Sequence, residues 1–230
     1  MSAMSSGRES GLKGMDTRNG TAPGLDLEPV ARQVRELVGS VDDRQLAGPT
    51  PCPGYSVREL LGHLLGLTVA FRDAGRKELG PTTGTSPGSA LPVLPGDWRE
   101  TMPPLLDELV AAWRSPDSLE GMTQAGGIDL PGPIAGAVAR NELLVHGWDL
   151  ARATGQEFRA DEESLRASEV MLAPGDDDRS GPDAIFGPPV PVPPGAPLLD
   201  RVIALSGRRP DWRPDGGPGA PGDGTAGISS

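Results

Sequence analysis

Apolar residues recur at spacings of three and four in several long blocks of this chain, and glycine and proline are concentrated between those blocks. The 230 residues include 33 glycines and 26 prolines, which are dense in residues 80–96, 173–197 and 213–230. Helix interiors tolerate these two residues poorly, whereas turns and loops favour them. The sequence therefore predicts an all-α protein in which Gly/Pro-rich loops join amphipathic helices.

Four long helices are predicted from this periodicity, and they cover about residues 26–39, 56–77, 97–114 and 133–154. Asp26 is the predicted N-cap of the first helix. The second has the clearest start, because Ser56 and Glu59 have the spacing of a capping box. Gly155 is predicted to terminate the fourth. Four long helices joined by short and medium connections predict a four-helix bundle.

The remaining segments are predicted to be short elements, loops or tails. Pro103 and Pro104 must lie in the first turn of the third helix or kink it. A short hairpin is expected around residues 125–130, followed by short C-terminal helices over 162–172 and 198–206. Residues 1–24 and 213–230 lack apolar periodicity and are predicted to be disordered tails, which leaves 25–212 as one folded domain.

Composition and charge exclude several classes of function. The net charge of −11 disfavours nonspecific binding to nucleic acids or anionic membranes. The single cysteine, Cys52, cannot form an internal disulfide, and the amino terminus has no apolar secretory segment. The longest apolar stretch, residues 60–71, is too short to span a bilayer. We therefore expect a cytoplasmic protein with neither nucleic-acid nor membrane partners.

The two histidines of the chain lie on two different predicted helices. His63 is on the flank of the apolar stripe of the second helix. His146 follows Glu142 by four residues on the fourth helix, so both side chains leave the same face, and Asp149 lies on that face too. Two imidazoles and one carboxylate suit a divalent ion such as zinc, and three protein ligands leave a position open. Asn141 or Asp149 could orient a ligand.

The residues alone leave a second interpretation open for this cluster. Glu142 and His146 have a spacing that is common by chance, and by itself it favours a histidine at the core edge that bonds to a neighbouring carboxylate. Cys52 lies between two prolines in a tight turn, so we interpret it as structural. Asp149 is the one candidate for an acid or base beside a metal.

Two segments nevertheless carry a resemblance to a known family. Residues Pro49–His63 are similar to the start of the second helix in actinobacterial DinB-like proteins of the mycothiol-dependent maleylpyruvate isomerase type. Residues Asn141–Gly155 resemble the fourth-helix motif of the same group. Residues 186–193, followed by 198–201, are similar to a subgroup described only as metal-binding. The resemblance extends over about residues 25–212.

The resemblance implies a DinB-like four-helix bundle that holds one divalent metal through His63, Glu142 and His146. Related enzymes bring the low-molecular-weight thiol mycothiol to the metal for isomerisation or S-transfer, which implies a thiol and a small electrophilic substrate as partners. Position 55 is tyrosine where the family pattern has tryptophan. We also expect the chain to lack the further C-terminal domain of maleylpyruvate isomerase, so the resemblance does not imply a particular substrate.

Two other functions stay open at this point. One is a metal-binding regulatory or stress-response module without turnover. The other is a metal-dependent hydrolase, in which the open position holds an activated water.

Overall fold

The computed structural model describes residues 24–86, 91–173 and 187–214, and nearly all of the two predicted tails lies outside these ranges. The described residues form seven α-helices and one two-stranded sheet, so the predicted all-α fold is confirmed. None of these helices is long and apolar enough to cross a bilayer. The helices are α1 (Glu28–Gly39), α2 (Val57–Arg76), α3 (Pro81–Gly84), α4 (Trp98–Arg114), α5 (Gly132–Thr154), α6 (Glu162–Leu172) and α7 (Leu198–Leu205).

The four long helices predicted from sequence are α1, α2, α4 and α5, and they form the bundle. Both α1 and α2 pack against α4 and against α5. The core between them is built from buried leucine, valine and alanine side chains, with Trp113 of α4 fully buried among them. A chain with few aromatic residues therefore fills its core mainly with aliphatic groups.

The ends of the helices follow local chemistry. The backbone N–H of Ser56 donates to Glu59 Oε2 at 2.9 Å, as the capping-box spacing predicts. Gly155 ends α5 in the left-handed conformation, with φ of 70°. The predicted N-cap of the first helix is wrong by one residue, because Leu27 and not Asp26 occupies that position. Asp26 accepts a hydrogen bond from the backbone N–H of Glu28.

Two further local predictions need correction. Pro103 and Pro104 lie in the second turn of α4, inside the helix and beyond its first turn. The predicted hairpin is present but begins earlier: β1 (Met122–Ala125) pairs antiparallel with β2 (Ile128–Pro131). Gly126 and Gly127 form its two-residue turn, and both have positive φ. The four-residue helix α3 was not predicted.

Helix α5 is the most buried element of the bundle, and this decides where the site lies. Residues 141–151 are all buried, because α1 and α2 cover part of this helix while α6 packs on it from outside. α7 packs in turn on α6. A helix covered in this way has no solvent-facing side at its centre. Every polar residue in that part of α5 is therefore buried.

Candidate metal centre

His63 from α2 meets Glu142 and His146 from α5 in the seam between the two helices. One donor atom from each of the three side chains lies within 4.8 Å of the other two. The two imidazole rings are perpendicular, at 89°, with centroids 4.7 Å apart. The structure thus brings together the three residues that the sequence and the resemblance single out.

His146 is held from both ring nitrogens. Its Nε2 lies 3.1 Å from Glu142 Oε2, one turn earlier on α5. Its Nδ1 lies 3.0 Å from Asp149 Oδ2, one turn later. All three side chains are buried, and Asp149 has no exposed surface. Asp149 therefore orients the His146 ring, which is the role that its place on the helix face allowed.

Arg208 joins this cluster from the segment that follows α7. Its Nη2 donates to Asp149 Oδ2 at 3.2 Å, and its Nη1 donates to the backbone carbonyl of Ser206 at 3.0 Å. The guanidinium is buried like its partner. The charged groups therefore form a continuous buried chain that runs from Arg208 through Asp149 and His146 to Glu142.

Burial and nearby charge set the protonation states of two of the candidate ligands, His63 and Glu142. Burial, together with the nearby charge of His146, lowers the pKa of His63 to about 4. Burial alone would raise the pKa of Glu142, but the hydrogen bond and the charge of His146 outweigh it and lower that pKa. At neutral pH His63 is neutral and Glu142 is ionised, which are the forms that bind metal ions.

His146 differs from His63. Burial alone would lower its pKa, but hydrogen bonds to Asp149, Cys52 and Glu142 outweigh burial and raise the pKa well above its ordinary value. Without a metal, the His146 ring is therefore protonated on both nitrogens and positively charged at neutral pH. A metal ion that binds at this ring has to displace one of these protons.

Two carboxylate oxygens in the cluster have no hydrogen-bond partner among the described residues. They are Glu142 Oε1 and Asp149 Oδ1, and both are buried. The side-chain amide of Asn141, next to Glu142, is also buried without a partner. Leaving ionised oxygens unpaired in the protein interior is costly. A cation beside Glu142 would satisfy its free oxygen, so the donor set and its unmet bonding capacity fit a divalent metal.

Cys52, which we interpreted as a structural turn residue, also lies at this site. Its sulfur is within 4.8 Å of donor atoms of His146 and Asp149, and these three form a second donor set that shares His146 with the first. The ring of Tyr55 lies beside His63, with a distance of 5.4 Å between the two ring centroids.

Sequence reasoning missed Arg208 and the position of Cys52. Arg208 follows Asp149 by 59 residues and lies outside every helix, so no periodic pattern connects them. Cys52 belongs to the loop before α2, whose path over the seam depends on tertiary packing.

Residues 27–151 match the family described as the mycothiol maleylpyruvate isomerase N-terminal domain. The chain belongs to this family. The matched range makes up more than half of the chain and carries His63, Glu142 and His146, whereas Arg208 lies beyond it. The family lies in the DinB-like superfamily, in agreement with the helical bundle.

Two proteins of Mycobacterium tuberculosis, from strains CDC 1551 and H37Rv, are also similar to this chain. Each is 28% identical over 187 residues, which cover 75% of this chain and 90% of the relative, and both are described as uncharacterised. No solved structure matches the chain significantly.

Proposed function

We propose that this member of the mycothiol maleylpyruvate isomerase N-terminal domain family binds one divalent metal through His63, Glu142 and His146. We further propose that it uses the metal to present a low-molecular-weight thiol of the mycothiol class to a small electrophile, for S-transfer or thiol-assisted isomerisation. The observation that carries the proposal is the convergence of three donor side chains, one of which is a buried glutamate with an unpaired oxygen. Zinc suits two nitrogens and one carboxylate.

The donor set with His63 is favoured over the set with Cys52 and Asp149. Asp149 Oδ2 already faces both the His146 ring and the Arg208 guanidinium, at 3.0 and 3.2 Å. The guanidinium also neutralises the charge of that carboxylate, which weakens it as a metal ligand. Both carboxylates have one unpaired oxygen, but Glu142 has no arginine within hydrogen-bond distance among the described residues.

The protein's own residues would supply charge balance and orientation. A bound divalent metal would supply Lewis acidity that favours the thiolate form of a coordinated thiol. Glu142 contributes one negative charge against the two positive charges of the ion. Asp149 holds the His146 ring in place, and three protein ligands leave at least one position for the thiol sulfur. The family match supports the choice of a mycothiol-class thiol.

Metal stoichiometry tests the site. We expect about one zinc per chain in the wild type, as three-ligand sites hold a single ion. We expect almost none in His63→Ala, Glu142→Gln or His146→Ala. Glu108→Gln is the matched control for Glu142→Gln, because Glu108 pairs with arginines on the protein surface. Loss of metal in Cys52→Ser, with retention in His63→Ala, would transfer the site to the second donor set.

A reaction assay tests the chemistry. The zinc-loaded protein, incubated with mycothiol and a small alkylating electrophile, should form the thioether faster than the Glu142→Gln variant does. The new bond joins the thiol sulfur to the electrophilic carbon as the leaving group departs. Metal binding without any thiol turnover would favour a regulatory module, and thiol-independent ester hydrolysis would favour a hydrolase.

A further inference from the structure

The pair of Arg208 and Asp149 is the most deeply buried ion pair with an arginine in the described part of the chain. Asp149 has no exposed surface, and Arg208 is 7% exposed. Removing two charges from water costs free energy that their attraction repays only with good geometry, and a packed apolar pair of the same volume would often serve stability better. A pair of this kind needs a reason other than stability.

The turn after α7 fixes where Arg208 points. Gly207 has a φ of 81°, and a Cβ there would lie within about 3 Å of the backbone of Gly187. The backbone N–H of Arg208 donates to the carbonyl of Ile203, and its Nη1 donates to the carbonyl of Ser206. The guanidinium is thus held from its own segment as well as by Asp149.

The fixed guanidinium holds Asp149 in place, and Asp149 in turn holds the His146 ring. Two donors, His146 Nδ1 and Arg208 Nη2, converge on the same oxygen, Asp149 Oδ2. A carboxylate fixed in this way holds the imidazole by Nδ1 and leaves Nε2 directed at Glu142, 3.1 Å away. Groups that orient a ligand from behind commonly change metal affinity 10–100-fold when they are removed.

We infer that Arg208 is a positioning residue for the metal centre, and that the segment after α7 completes a site whose ligands all lie in the family-matched range. Arg208 acts on the ligand His146 only through Asp149. This inference rests on the proposed metal site. It adds that full metal affinity requires Arg208, which lies outside the family-matched residues 27–151.

Metal affinity, measured by competition with a chelator on the full chain, tests the inference. Arg208→Met should weaken zinc binding by about 10–100-fold, and Arg208→Lys, which keeps the charge, should lose less. Arg201→Met is the matched control. Arg201 lies on α7, the helix before this segment, and its hydrogen bonds among the described residues are with Glu169 and the carbonyl of Ala196 and not with the cluster. Its zinc affinity should equal that of the wild type.

A double variant tests the route. If Arg208 acts through Asp149, the variant with both Asp149→Asn and Arg208→Met should bind zinc no more weakly than Asp149→Asn alone. Losses that multiply would overturn the route through Asp149. Unchanged affinity in Arg208→Met would overturn the inference and leave the proposed function intact, whereas a wild type that binds no zinc would overturn both.

The ¹⁵N resonances of the His146 ring give a readout that a merely structural role would not move. In the zinc-loaded wild type we expect a protonated Nδ1 and a metal-bound Nε2. In Arg208→Met we expect part of the population to have the reverse arrangement, with a protonated Nε2 and a metal-bound Nδ1. A folded Arg208→Met variant whose ring resonances match the wild type would contradict a positioning role.

Discussion

The bundle has two buried regions of opposite character. Around Trp113, where α4 meets α2, the interior is apolar, and the indole N–H donates to the carbonyl of Phe71 at 2.9 Å. In the seam between α2 and α5, the interior holds a histidine, a glutamate and an aspartate, joined by an arginine, with the half-buried His63 beside them. The first region satisfies the indole N–H and the buried hydroxyl of Ser118, which donates to the carbonyl of Trp113, whereas the second leaves carboxylate oxygens without partners.

On the proposed function, the apolar region stabilises the fold and the polar seam binds the metal. Burial of apolar surface is the dominant favourable contribution to folding. Buried charges with unmet hydrogen bonds oppose folding unless something else binds them. We therefore expect the folding free energy gained by the apolar region to offset the cost of burying the charged groups of the polar seam.

The largest expected effect comes from the apolar region. Leu106 of α4 is fully buried, so Leu106→Ala should lower the free energy of unfolding by about 2–5 kcal/mol, through lost burial and the cavity left behind. Chemical denaturation of the metal-free protein measures this loss. Zinc stoichiometry of the folded variant should stay at the wild-type value. A folded variant that lost its zinc would show that the two regions are not separable.

The polar seam should respond in the opposite direction. Replacing Glu142 and His146 together by leucine removes two buried ionisable groups and leaves Asp149 paired with Arg208. The free energy of unfolding of this variant should equal that of the metal-free wild type or exceed it by up to about 1–4 kcal/mol. The variant should bind no zinc. A drop as large as that of Leu106→Ala would mean that the seam is built for stability.

Proton release distinguishes the two histidines of the seam. The pKa of His63 is lowered to about 4, so His63 is already neutral at pH 6, whereas the raised pKa of His146 keeps that ring protonated. Zinc binding should release about one proton, and apparent affinity should fall about tenfold per pH unit from pH ~7 to ~5. Calorimetry in buffers of different ionisation enthalpy measures this number. Release of two protons would contradict the lowered pKa of His63.

The smallest expected effect is at the start of α2, the helix that carries His63. Glu59→Ala removes the acceptor for the backbone N–H of Ser56 and should cost about 0.5–1.5 kcal/mol of unfolding free energy. Zinc affinity should change little, because the rest of α2 is held by the core. Glu162→Ala is the control, since Glu162 only pairs with exposed Arg166 on α6, and it should change stability less. Equal losses in both variants would contradict the capping role.

The fold could be predicted because its determinants are local. The spacing of leucines, the capping box at Ser56 and the terminating Gly155 act within a few residues of where they stand. The full burial of α5 could not be predicted, because it depends on α6 and on the loops that cover the outer face. Of the two alternatives for Pro103 and Pro104, the structure excludes the first turn: both lie inside α4, where tertiary packing holds a helix that loses two of its own hydrogen bonds.

The three candidate donor residues could be proposed from the sequence, whereas their surroundings could not. Glu142 and His146 share a helix face by spacing, and His63 is the other histidine of the chain. The resemblance then assigned the three to one metal. Cys52 and Arg208 reach the cluster from irregular segments, and no periodicity reports where such segments run. The protonation of His146 follows from three neighbours on two elements, so it too required the tertiary structure.

Anomalous diffraction at the zinc absorption edge, on crystals of the zinc-loaded full chain, tests the central claim most directly. The account predicts one strong peak in the seam between α2 and α5, within bonding distance of a ring nitrogen of His63, Nε2 of His146 and a carboxylate oxygen of Glu142, at about 2.0–2.2 Å. A peak bound by Cys52 and Asp149, or no peak in this seam, would contradict it.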